Sequence, residues 1–395
     1  MLIQIPFLLI IGFFTIYLFT LTVLAFFYKS NLKEQIKRHM RFAVIVPAHN
    51  EETVISETIR HLLNVEYSRN LFDVFVIADN CTDRTAFVAA SMGAKVLERL
   101  NPDLKGKGYA LKWCIEKLIQ YDKYDAFIII DADSIASKNI LEVFNYYLNT
   151  GAEAIQCSDL VKPRLNSWSS EITRIGLLLY NYVKPLGKKV INCSAGLRGN
   201  GMCFSAELLK RNPWQAFSQT EDLEFGITLL LKGNVVAFAP EARVSAIMPA
   251  DAKNAETQRA RWEAGRLPLI KKYSGILLKA AIRNFSLKLF DAFVDLITPA
   301  FVNLFVFTVM AASINLFLFL FGALKTDLST IFWTLLLVLQ ILYVIGGLYA
   351  AKADKCAYKA LINVPRFAIW KIALYLKLAL NGHTRFWIRT TREPS

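Results

Sequence analysis

Long apolar stretches at both ends of the chain enclose a middle region in which short apolar runs alternate with polar segments. The first stretch lies within residues 1–28, contains no charged residue, and could cross a hydrocarbon core about 30 Å thick. Two more cover residues 299–324 and 331–351. This pattern predicts an N-terminal transmembrane anchor and a pair of transmembrane helices within residues 299–351.

Two segments near these stretches mix apolar with charged residues, which is typical of helices that lie at a membrane surface. They are residues 281–298 and the C-terminal residues 356–395, where a predicted interfacial helix is followed by a basic tail. A basic cluster at residues 29–41 directly follows the first apolar stretch. Because basic loops stay on the cytoplasmic side, we expect a multi-pass protein of the inner (plasma) membrane with a cytoplasmic middle region.

The middle region, residues 40–275, alternates strand-like with helix-like patterns and is predicted to be a doubly wound α/β domain. The predicted strands cover residues 42–47, 74–79, 94–97 and 126–131, and the predicted helices cover residues 53–63 and 82–92. In such domains ligands bind beyond the carboxyl ends of the strands. Polar residues at those ends are therefore candidates for function.

The composition narrows the partners of the chain. Its 395 residues are 54% hydrophobic, and 46 Lys and Arg against 32 Asp and Glu give a net charge of +14. That charge alone would suit nucleic acid, a membrane surface or an anionic substrate. The basic residues near the predicted anchor and in the tail favour anionic lipid, so we expect a membrane partner and no nucleic acid.

Three predicted strands are followed by acidic or amide residues. These are Asn50 and Glu51, Asp79 and Asn80, and Asp131 and Asp133. Alternate residues of an extended segment project the same way, so Asp131 and Asp133 can meet one divalent cation. Asn80 and Asp83 are interpreted as turn and capping residues, since Asp83 precedes a predicted helix.

Three further motifs follow in the second half of the middle region. They are a glycine-containing loop with Gly199, Asn200 and Gly201, the triplet Thr220-Glu221-Asp222, and a segment with Gln258, Arg261 and Trp262. Taken alone, the first is typical of a tight turn and the last of a basic helix beside a membrane. Their order and spacing between apolar stretches favour a functional interpretation.

With these motifs the chain resembles the membrane-bound family 2 glycosyltransferases and is similar to bacterial cellulose, hyaluronan and poly-N-acetylglucosamine synthases. The resemblance extends over nearly the whole chain. It implies a GT-A (Rossmann-like) α/β fold, a UDP-sugar donor, Mg²⁺ or Mn²⁺ as cofactor, and inversion at the anomeric carbon. We therefore expect a GT-A domain flanked by transmembrane helices and interfacial helices.

The resemblance also implies roles for individual residues. Asp222 matches the catalytic base, and Asp131 and Asp133 match the metal-binding motif. The substrate-binding positions implied are Asn50, Glu51, Asp79, Lys107, Asp131, Glu221, Gln258, Arg261, Trp262, Gly199, Asn200 and Gly201. Within this set Asp79 would hold the uridine, Lys107 would lie near the nucleotide, and the glycine-containing loop would lie beside the acceptor.

The expected function is transfer of GlcNAc or glucose from a UDP-sugar to a membrane-associated acceptor, in exopolysaccharide or cell-envelope glycan synthesis. Only three transmembrane segments are predicted, so a homo-oligomer or a secretion partner would have to supply a pore for a polymer. One alternative is a non-processive glycolipid synthase with ceramide, diacylglycerol or polyprenyl phosphate as acceptor. A second is a non-catalytic membrane scaffold, which the intact set of carboxylates argues against.

Overall fold

A computed structural model of the protein describes residues 4–30, 32, 38–162, 168–246, 252–321 and 328–369, with only the backbone described at 168, 169 and 252–264. The chain forms two compact units. The helical unit comprises Met1–Tyr28, Pro163–Ile191 and Ile297–Ile388, and the sheet unit comprises Lys29–Lys162, Asn192–Leu296 and Arg389–Ser395.

Strands and helices are numbered separately along the chain. The strands are β1 (Phe42–Ala48), β2 (Phe72–Asp79), β3 (Lys95–Arg99), β4 (Ala126–Ile129), β5 (Ser134–Ala136), β6 (Ala154–Val161), β7 (Met202–Ser205) and β8 (Val236–Ala246). The helices are α1 (Ile5–Ala25), α2 (Ile55–Leu63), α3 (Thr85–Ser91), α4 (Lys107–Ile119), α5 (Ile140–Asn149), α6 (Trp168–Leu178), α7 (Lys184–Val190), α8 (Ala206–Arg211), α9 (Glu221–Leu231), α10 (Ala252–Arg283), α11 (Leu287–Ile297), α12 (Phe301–Leu320), α13 (Leu328–Ala350) and α14 (Lys355–Ala360).

The sheet unit is built on one mixed sheet with the strand order β3-β2-β1-β4-β7-β6-β8-β5. Strands β3, β2, β1 and β4 run parallel to one another, whereas β7 is antiparallel to both β4 and β6. The α/β class predicted from the sequence is confirmed. The short antiparallel strand β7 was not predicted, because four residues carry too little pattern to indicate a strand.

The parallel strands form because they are continuous apolar runs buried on both faces of the sheet. Val44 of β1 lies opposite both Val74 of β2 and Ile128 of β4, and none of the three is more than 2% exposed. The run predicted to extend to residue 131 ends earlier, at Ile129. The chain then turns at Ala132 and Asp133 instead of continuing extended.

Helices cover this sheet with faces that the sequence pattern indicates. In α2 the side chains of Ile55, Ile59 and Leu62 are at most 1% exposed, and their helical spacing places them on one face. At the start of α8 the Oγ of Ser205 accepts a hydrogen bond from the backbone N of Leu208 at 3.1 Å. Such a cap contributes about 1 kcal/mol and fixes the start of the helix.

The helical unit contains α1, α12 and α13, which are long and apolar enough to cross a membrane by length and composition. Gln340 of α13 is fully buried, and its Nε2 donates hydrogen bonds to the Oγ1 atoms of Thr15 and Thr308 at 3.1 and 2.9 Å. One amide therefore links all three helices. Polar contacts of this kind hold helices together where lipid provides no hydrophobic drive between them.

Pro163–Ile191, most of the segment between β6 and β7, also belongs to the helical unit, and this was not predicted from the sequence. It contains α6, a π-helical turn over Leu179–Val183, and α7. A Cβ atom added at Gly187 of α7 would overlap the carbonyl oxygen of Leu21 in α1. The absence of a side chain at Gly187 thus allows the two helix backbones to approach closely.

Two helical predictions have different outcomes. The segment predicted as an interfacial helix within residues 281–298 forms α11, and its place at a membrane surface stays a prediction. Most of the second predicted interfacial helix and the basic tail lie in residues 370–395, outside the described residues.

Candidate active site

The two aspartates predicted to bind a metal lie in the turn between β4 and β5. The backbone N of Ser134 donates to the carbonyl oxygen of Asp131 at 3.2 Å, which closes the turn. Ala132 is buried, whereas Asp131 and Asp133 on either side of it are partly exposed. A turn thus replaces the predicted extended segment and leaves both carboxylates partly exposed, and their binding of one cation stays a prediction.

Lys107 links this turn to the glycine-containing loop. It is the first residue of α4, and its Nζ donates to Oδ1 of Asp131 at 2.6 Å and to the carbonyl oxygen of Gly199 at 2.5 Å. Burial on its own lowers the pKa of Lys107, but the charges of Asp131, Glu221 and Asp222 outweigh it, and the pKa is raised. The ammonium group thus stays charged at the centre of an acidic cluster.

Gly199 lies close to both Lys107 and the predicted base. Its φ of 82° lies in the left-handed region, and a Cβ atom added there would be 3.3 Å from Oδ2 of Asp222 and 3.8 Å from Nζ of Lys107. A side chain here would crowd the carboxylate of Asp222, so glycine suits both the left-handed backbone and the close approach of the loop. The motifs around Lys107, Asp131, Gly199 and Asp222 are therefore brought together, as the resemblance implied.

Asn200 joins the same loop to the acidic turn. Its Oδ1 accepts from the backbone N of Asp131 at 3.1 Å, while its Nδ2 donates to Oγ of Ser134 at 2.9 Å and to Oδ1 of Asp159 at 3.3 Å. Its side chain is 4% exposed. This geometry gives Asn200 a bracing role within the protein, and the substrate contact that the resemblance implied for it stays a prediction.

Gln156 of β6 holds the glycine-containing loop from the other side. Its Nε2 donates to the carbonyl oxygen of Asn200 at 2.7 Å, and its Oε1 accepts from the backbone N of Arg198 at 2.8 Å. The side chain is 1% exposed, so this buried amide is satisfied by the loop backbone. Gln156 was not predicted from the sequence, because a glutamine within a strand carries no motif.

Glu221 and Asp222 lie on the first turn of α9. Burial raises the pKa of Glu221 to about 7, and the nearby charge of Asp222 adds to this effect while Lys107 opposes it. Burial also raises the pKa of Asp222, against the opposing effects of the Leu223 backbone N–H and the charges of Lys107 and Arg198. A carboxylate with a raised pKa is a stronger proton acceptor once it is ionised.

The predicted nucleotide-binding residues lie at the carboxyl ends of β1 and β2. Asp79 is 7% exposed, and its Oδ1 accepts from Nη1 of Arg99 at 2.5 Å. Asn50 has a φ of 55° and exchanges two hydrogen bonds with Thr82, one from its Nδ2 at 3.0 Å and one to its Oδ1 at 2.7 Å. Arg99 was not predicted, because it lies at the end of a short strand with no motif around it.

The remaining residues of these loops have local structural contacts. The backbone N of Glu51 donates to Oγ1 of Thr85 at 2.8 Å. Oδ1 of Asp83 accepts from the backbone N of Thr85 at 2.9 Å, but the N-cap of α3 is Arg84, so Asp83 stabilises the turn before the helix and is not its cap as interpreted from the sequence. Asn80 has a φ of 50° and its Oδ1 accepts from the backbone N of Asn101 at 2.8 Å, as expected of a turn residue.

Gln258, Arg261 and Trp262 fall on α10, and their side chains lie outside the described residues. The later part of the same helix contacts the region of the predicted base. The Oγ1 of Thr220 donates to the carbonyl oxygen of Gly265 at 3.1 Å. Farther along, Nζ of Lys272 donates to Oε1 of Glu224 in α9 at 2.8 Å. The helix that carries the last motif is thus packed on the helix that carries Asp222.

Asp159 is a further carboxylate that the sequence analysis did not identify. It follows an irregularity in the pairing of β6 with β8, between Cys157 and Ser158, and is partly exposed. Burial, together with the negative charges of Asp131 and Asp133, raises the pKa of Asp159 well above its ordinary value. An aspartate at the end of an apolar strand has no sequence signal that separates it from a turn residue.

The residues of the turn fit a divalent cation in their chemistry. Carboxylate oxygens are preferred ligands of Mg²⁺, which binds through one or two carboxylates and takes its other ligands from water and substrate phosphates. Asp131 and Asp133 supply such a pair. Within the described ranges, no three His, Cys, Asp or Glu side chains are grouped so that they could hold a metal ion by themselves.

A mixed α/β sheet with an acidic turn after a central strand and a carboxylate on a facing helix is the GT-A arrangement of glycosyltransferases. Residues 39–265 match the family model described as Glycosyltransferase like family 2, and the chain belongs to this family. The predicted family and fold class are confirmed.

Individual relatives are more distant. The chain is 24% identical over 274 residues to the probable glycosyltransferase YdaM of Bacillus subtilis, and the aligned region covers 66% of this chain and 63% of that protein. It is 26% identical over 248 residues to beta-monoglucosyldiacylglycerol synthase of Nostoc sp., and the aligned region covers 60% of this chain and 51% of that protein. The chain thus matches less than two thirds of the length of either relative.

One solved structure shares the fold over most of the chain. The mannosyltransferase PcManGT of Pyrobaculum calidifontis, in complex with GDP-Man and Mn²⁺, has a TM-score of 0.53 and 16% sequence identity, and the match covers 88% of this chain and 99% of that one. At this identity the match supports the GT-A fold alone.

Proposed function

We propose that the protein is an inverting glycosyltransferase that moves a hexose from a UDP-sugar to a membrane lipid. The observation that carries this proposal is the position of Lys107, which contacts Asp131 and the carbonyl oxygen of Gly199, with Asp222 beside the same glycine. The ammonium group thus lies near both a carboxylate pair suited to a metal and a carboxylate suited to act as a base.

The proposed chemistry uses each group for one task. Asp222 accepts the proton of the acceptor hydroxyl as that oxygen attacks C1 of the sugar, and its raised pKa strengthens it as a base. The bond from C1 to the diphosphate oxygen breaks, and UDP leaves with that electron pair. Lys107 stabilises the negative charge that develops on the diphosphate.

Asp131 and Asp133 would hold a divalent cation, Mg²⁺ or Mn²⁺, which when bound stabilises charge on phosphate oxygens. The guanidinium of Arg261 is proposed to contact the same diphosphate, because its planar fork binds phosphate oxygens in pairs. The uridine is proposed to bind at the carboxyl ends of β1 and β2, beside Asp79 and Asn50.

A lipid acceptor is supported by two relatives whose names specify lipids. One is the beta-monoglucosyldiacylglycerol synthase of Nostoc sp. described above. The other is the 4,4'-diaponeurosporenoate glycosyltransferase of Staphylococcus aureus, 28% identical over 133 residues that cover 32% of this chain and 34% of that protein. Helices α1, α12 and α13 are suited to keep such an enzyme at the membrane that contains its acceptor.

The orientation in the membrane is part of the proposal. We infer that the sheet unit is cytoplasmic, because the basic cluster at residues 29–41 follows the first apolar helix. A cysteine introduced at Ser30 should then react with an impermeant maleimide only after cells are permeabilised. Labelling of that position in intact cells would place the sheet unit on the other side.

A donor and acceptor screen tests the proposed function. The purified full chain in lipid nanodiscs is incubated with UDP-glucose, UDP-GlcNAc, UDP-galactose or GDP-mannose, with Mn²⁺, and both nucleotide release and product partitioning are scored. We expect a UDP-sugar to be consumed, label to enter the organic phase, and EDTA to stop turnover reversibly. A chain-length ladder of water-soluble product would favour the polymer function, and no turnover with any UDP-sugar would contradict the proposal.

A further inference from the structure

Asp159 is the residue from which a further role in the reaction can be inferred, and the inference rests on the proposed function. It lies near the end of β6, after the point where the pairing with β8 shifts register between Cys157 and Ser158. Irregularities of this kind turn a strand side chain to a new direction and are common beside active sites.

The contact of Asp159 with Asn200 places its carboxylate beside the acidic turn. Asn200 donates from Nδ2 to Oδ1 of Asp159 at 3.3 Å and accepts at Oδ1 from the backbone N of Asp131 at 3.1 Å. A single amide group therefore separates the carboxylate of Asp159 from the backbone of Asp131. The side chain of Asp159 is partly exposed, so a ligand at the turn can reach it.

The strand order indicates which part of a nucleotide-sugar lies near Asp159. In the order β2-β1-β4-β7-β6, the proposed uridine site is at β1 and β2, and the acidic turn proposed to bind the diphosphate follows β4. Strand β6 lies on the opposite side of β4 from β1. A donor that extends across the sheet in this order would place its hexose on the side of β7 and β6.

We propose that Asp159 binds hydroxyl groups of the transferred hexose and contributes to the choice of donor sugar. A carboxylate accepts hydrogen bonds through two oxygens, so it can bind neighbouring sugar hydroxyls and distinguish their configurations. Asp159 acts as a specificity residue in this proposal, and Asp222 remains the base.

Binding of UDP and of the UDP-sugar, measured side by side, tests this role. Because UDP lacks the hexose, Asp159→Asn should leave the Kd for UDP with Mn²⁺ within about twofold of the native value. The Kd for the preferred UDP-hexose, measured calorimetrically in lipid nanodiscs, should rise about 10- to 100-fold. Turnover with UDP-glucose, UDP-galactose and UDP-GlcNAc should become more nearly equal. Asp122→Asn, which alters an exposed aspartate paired with Lys210, should change none of these values.

The alternative roles give different results. Asp133→Asn, measured in parallel, shows the effect of losing a proposed metal ligand. Equally weakened binding of UDP with Mn²⁺ in Asp159→Asn would assign Asp159 to the metal and overturn the inference. An unchanged Kd for the UDP-sugar with a raised KM for the lipid would assign it to the acceptor and also overturn the inference. If Asp159→Asn does not fold, Asp159→Glu shifts the same carboxylate by one methylene, and unchanged donor preference in that variant overturns the inference. No UDP binding by the native protein would instead reject the proposed function, and the inference with it.

Discussion

Nζ of Lys107 donates a hydrogen bond to Oδ1 of Asp131 at 2.6 Å. The ammonium group of this lysine is therefore bound to a carboxylate that is also proposed to bind the metal. Any divalent cation at Asp131 must compete with this contact or share the carboxylate with it. The same ammonium group also offsets the charges of Glu221 and Asp222. The stability of the sheet unit and its metal binding are therefore expected to depend on one lysine.

Replacing Lys107 by methionine tests this dependence. In the metal-free protein the substitution leaves Asp131, Glu221 and Asp222 without their cation, and the free energy of unfolding should fall by about 2 kcal/mol. A larger loss is not expected, because the side chain of Asp131 is 38% exposed and water screens its charge. Saturating Mn²⁺ should reduce the loss, because the metal supplies positive charge.

Lys112→Met is the matched control for this measurement. Lys112 lies on the same helix and pairs with Glu116 at the surface, where an ion pair contributes about 0–1 kcal/mol. Thermal unfolding with and without Mn²⁺ compares the two variants. An equal loss of stability for Lys107→Met in the two conditions would contradict the proposed exchange between lysine and metal.

Gly199→Ala should impair catalysis more than nucleotide binding. The added Cβ would be 3.3 Å from Oδ2 of Asp222, so the loop or the carboxylate must shift. Small misplacements of a reacting group can reduce rates by about 10²-fold. We expect kcat to fall about 10- to 100-fold, with the Kd for UDP and Mn²⁺ little changed.

Gly151→Ala separates this effect from backbone strain. Gly151 has a φ of 92°, similar to the 82° of Gly199, but a Cβ atom added there would have no neighbour within 4 Å. Both variants should lose comparable stability, about 1–2 kcal/mol, from the left-handed backbone. If kcat falls equally in both, the contact with Asp222 is not the cause.

Glu221→Gln should stabilise the protein in a pH-dependent way. Folding raises the pKa of Glu221 from 4.5 to about 7, so its protonated form favours the folded state below pH 4.5, and that contribution is lost as the pH rises through 7. Glutamine resembles the protonated form at every pH. The variant should therefore gain stability over the native protein between pH 5 and pH 8, reaching about 3 kcal/mol.

Thermal unfolding of the metal-free proteins at several pH values measures this difference. Glu116→Gln, at a site that is half exposed, is the control and should show a small offset that does not change with pH. A difference between Glu221→Gln and the native protein that stays constant from pH 5 to pH 8 would show that the pKa of Glu221 is not raised.

In the helical unit, two glycines should respond in opposite ways to alanine. A Cβ atom at Gly187 would overlap the backbone of Leu21, whereas one at Gly176 would have no neighbour within 4 Å. Alanine in an open helical position stabilises by up to about 1 kcal/mol. Gly176→Ala should thus be neutral or stabilising, and Gly187→Ala should destabilise by about 1–3 kcal/mol. Equal midpoints for both variants in detergent would contradict the close approach of α7 and α1.

The parts of the site that the sequence predicted are those with short motifs at strand or helix ends. Asp131 and Asp222 were identified in this way, and the structure brings their neighbourhoods together through Lys107 and Gly199. The contacts that position them were not predicted. Gln156 and Asp159 are polar residues of one strand with no motif around them, and their importance arises only when the pairing of β6 places them beside the loop.

The fold shows a similar division. Long apolar runs indicated α1, α12 and α13, and buried strands such as β1 and β2 were equally clear. The membership of Pro163–Ile191 in the helical unit was not predicted, because this segment carries lysines and arginines among its apolar residues. Its place depends on close packing at positions such as Gly187, which periodicity does not reveal.

Asp222→Asn tests the central claim most directly, because it removes the proposed base while keeping the size of the side chain. Transfer from the preferred UDP-sugar should fall by about 10²–10⁴-fold, as is typical of the loss of a general base. The Kd for UDP with Mn²⁺ should stay within a few-fold of the native value, since the nucleotide is proposed to bind at Asp79 and at the acidic turn. Turnover and calorimetric UDP binding are measured on the same preparations. Sugar transfer by the variant at the native rate would contradict the account.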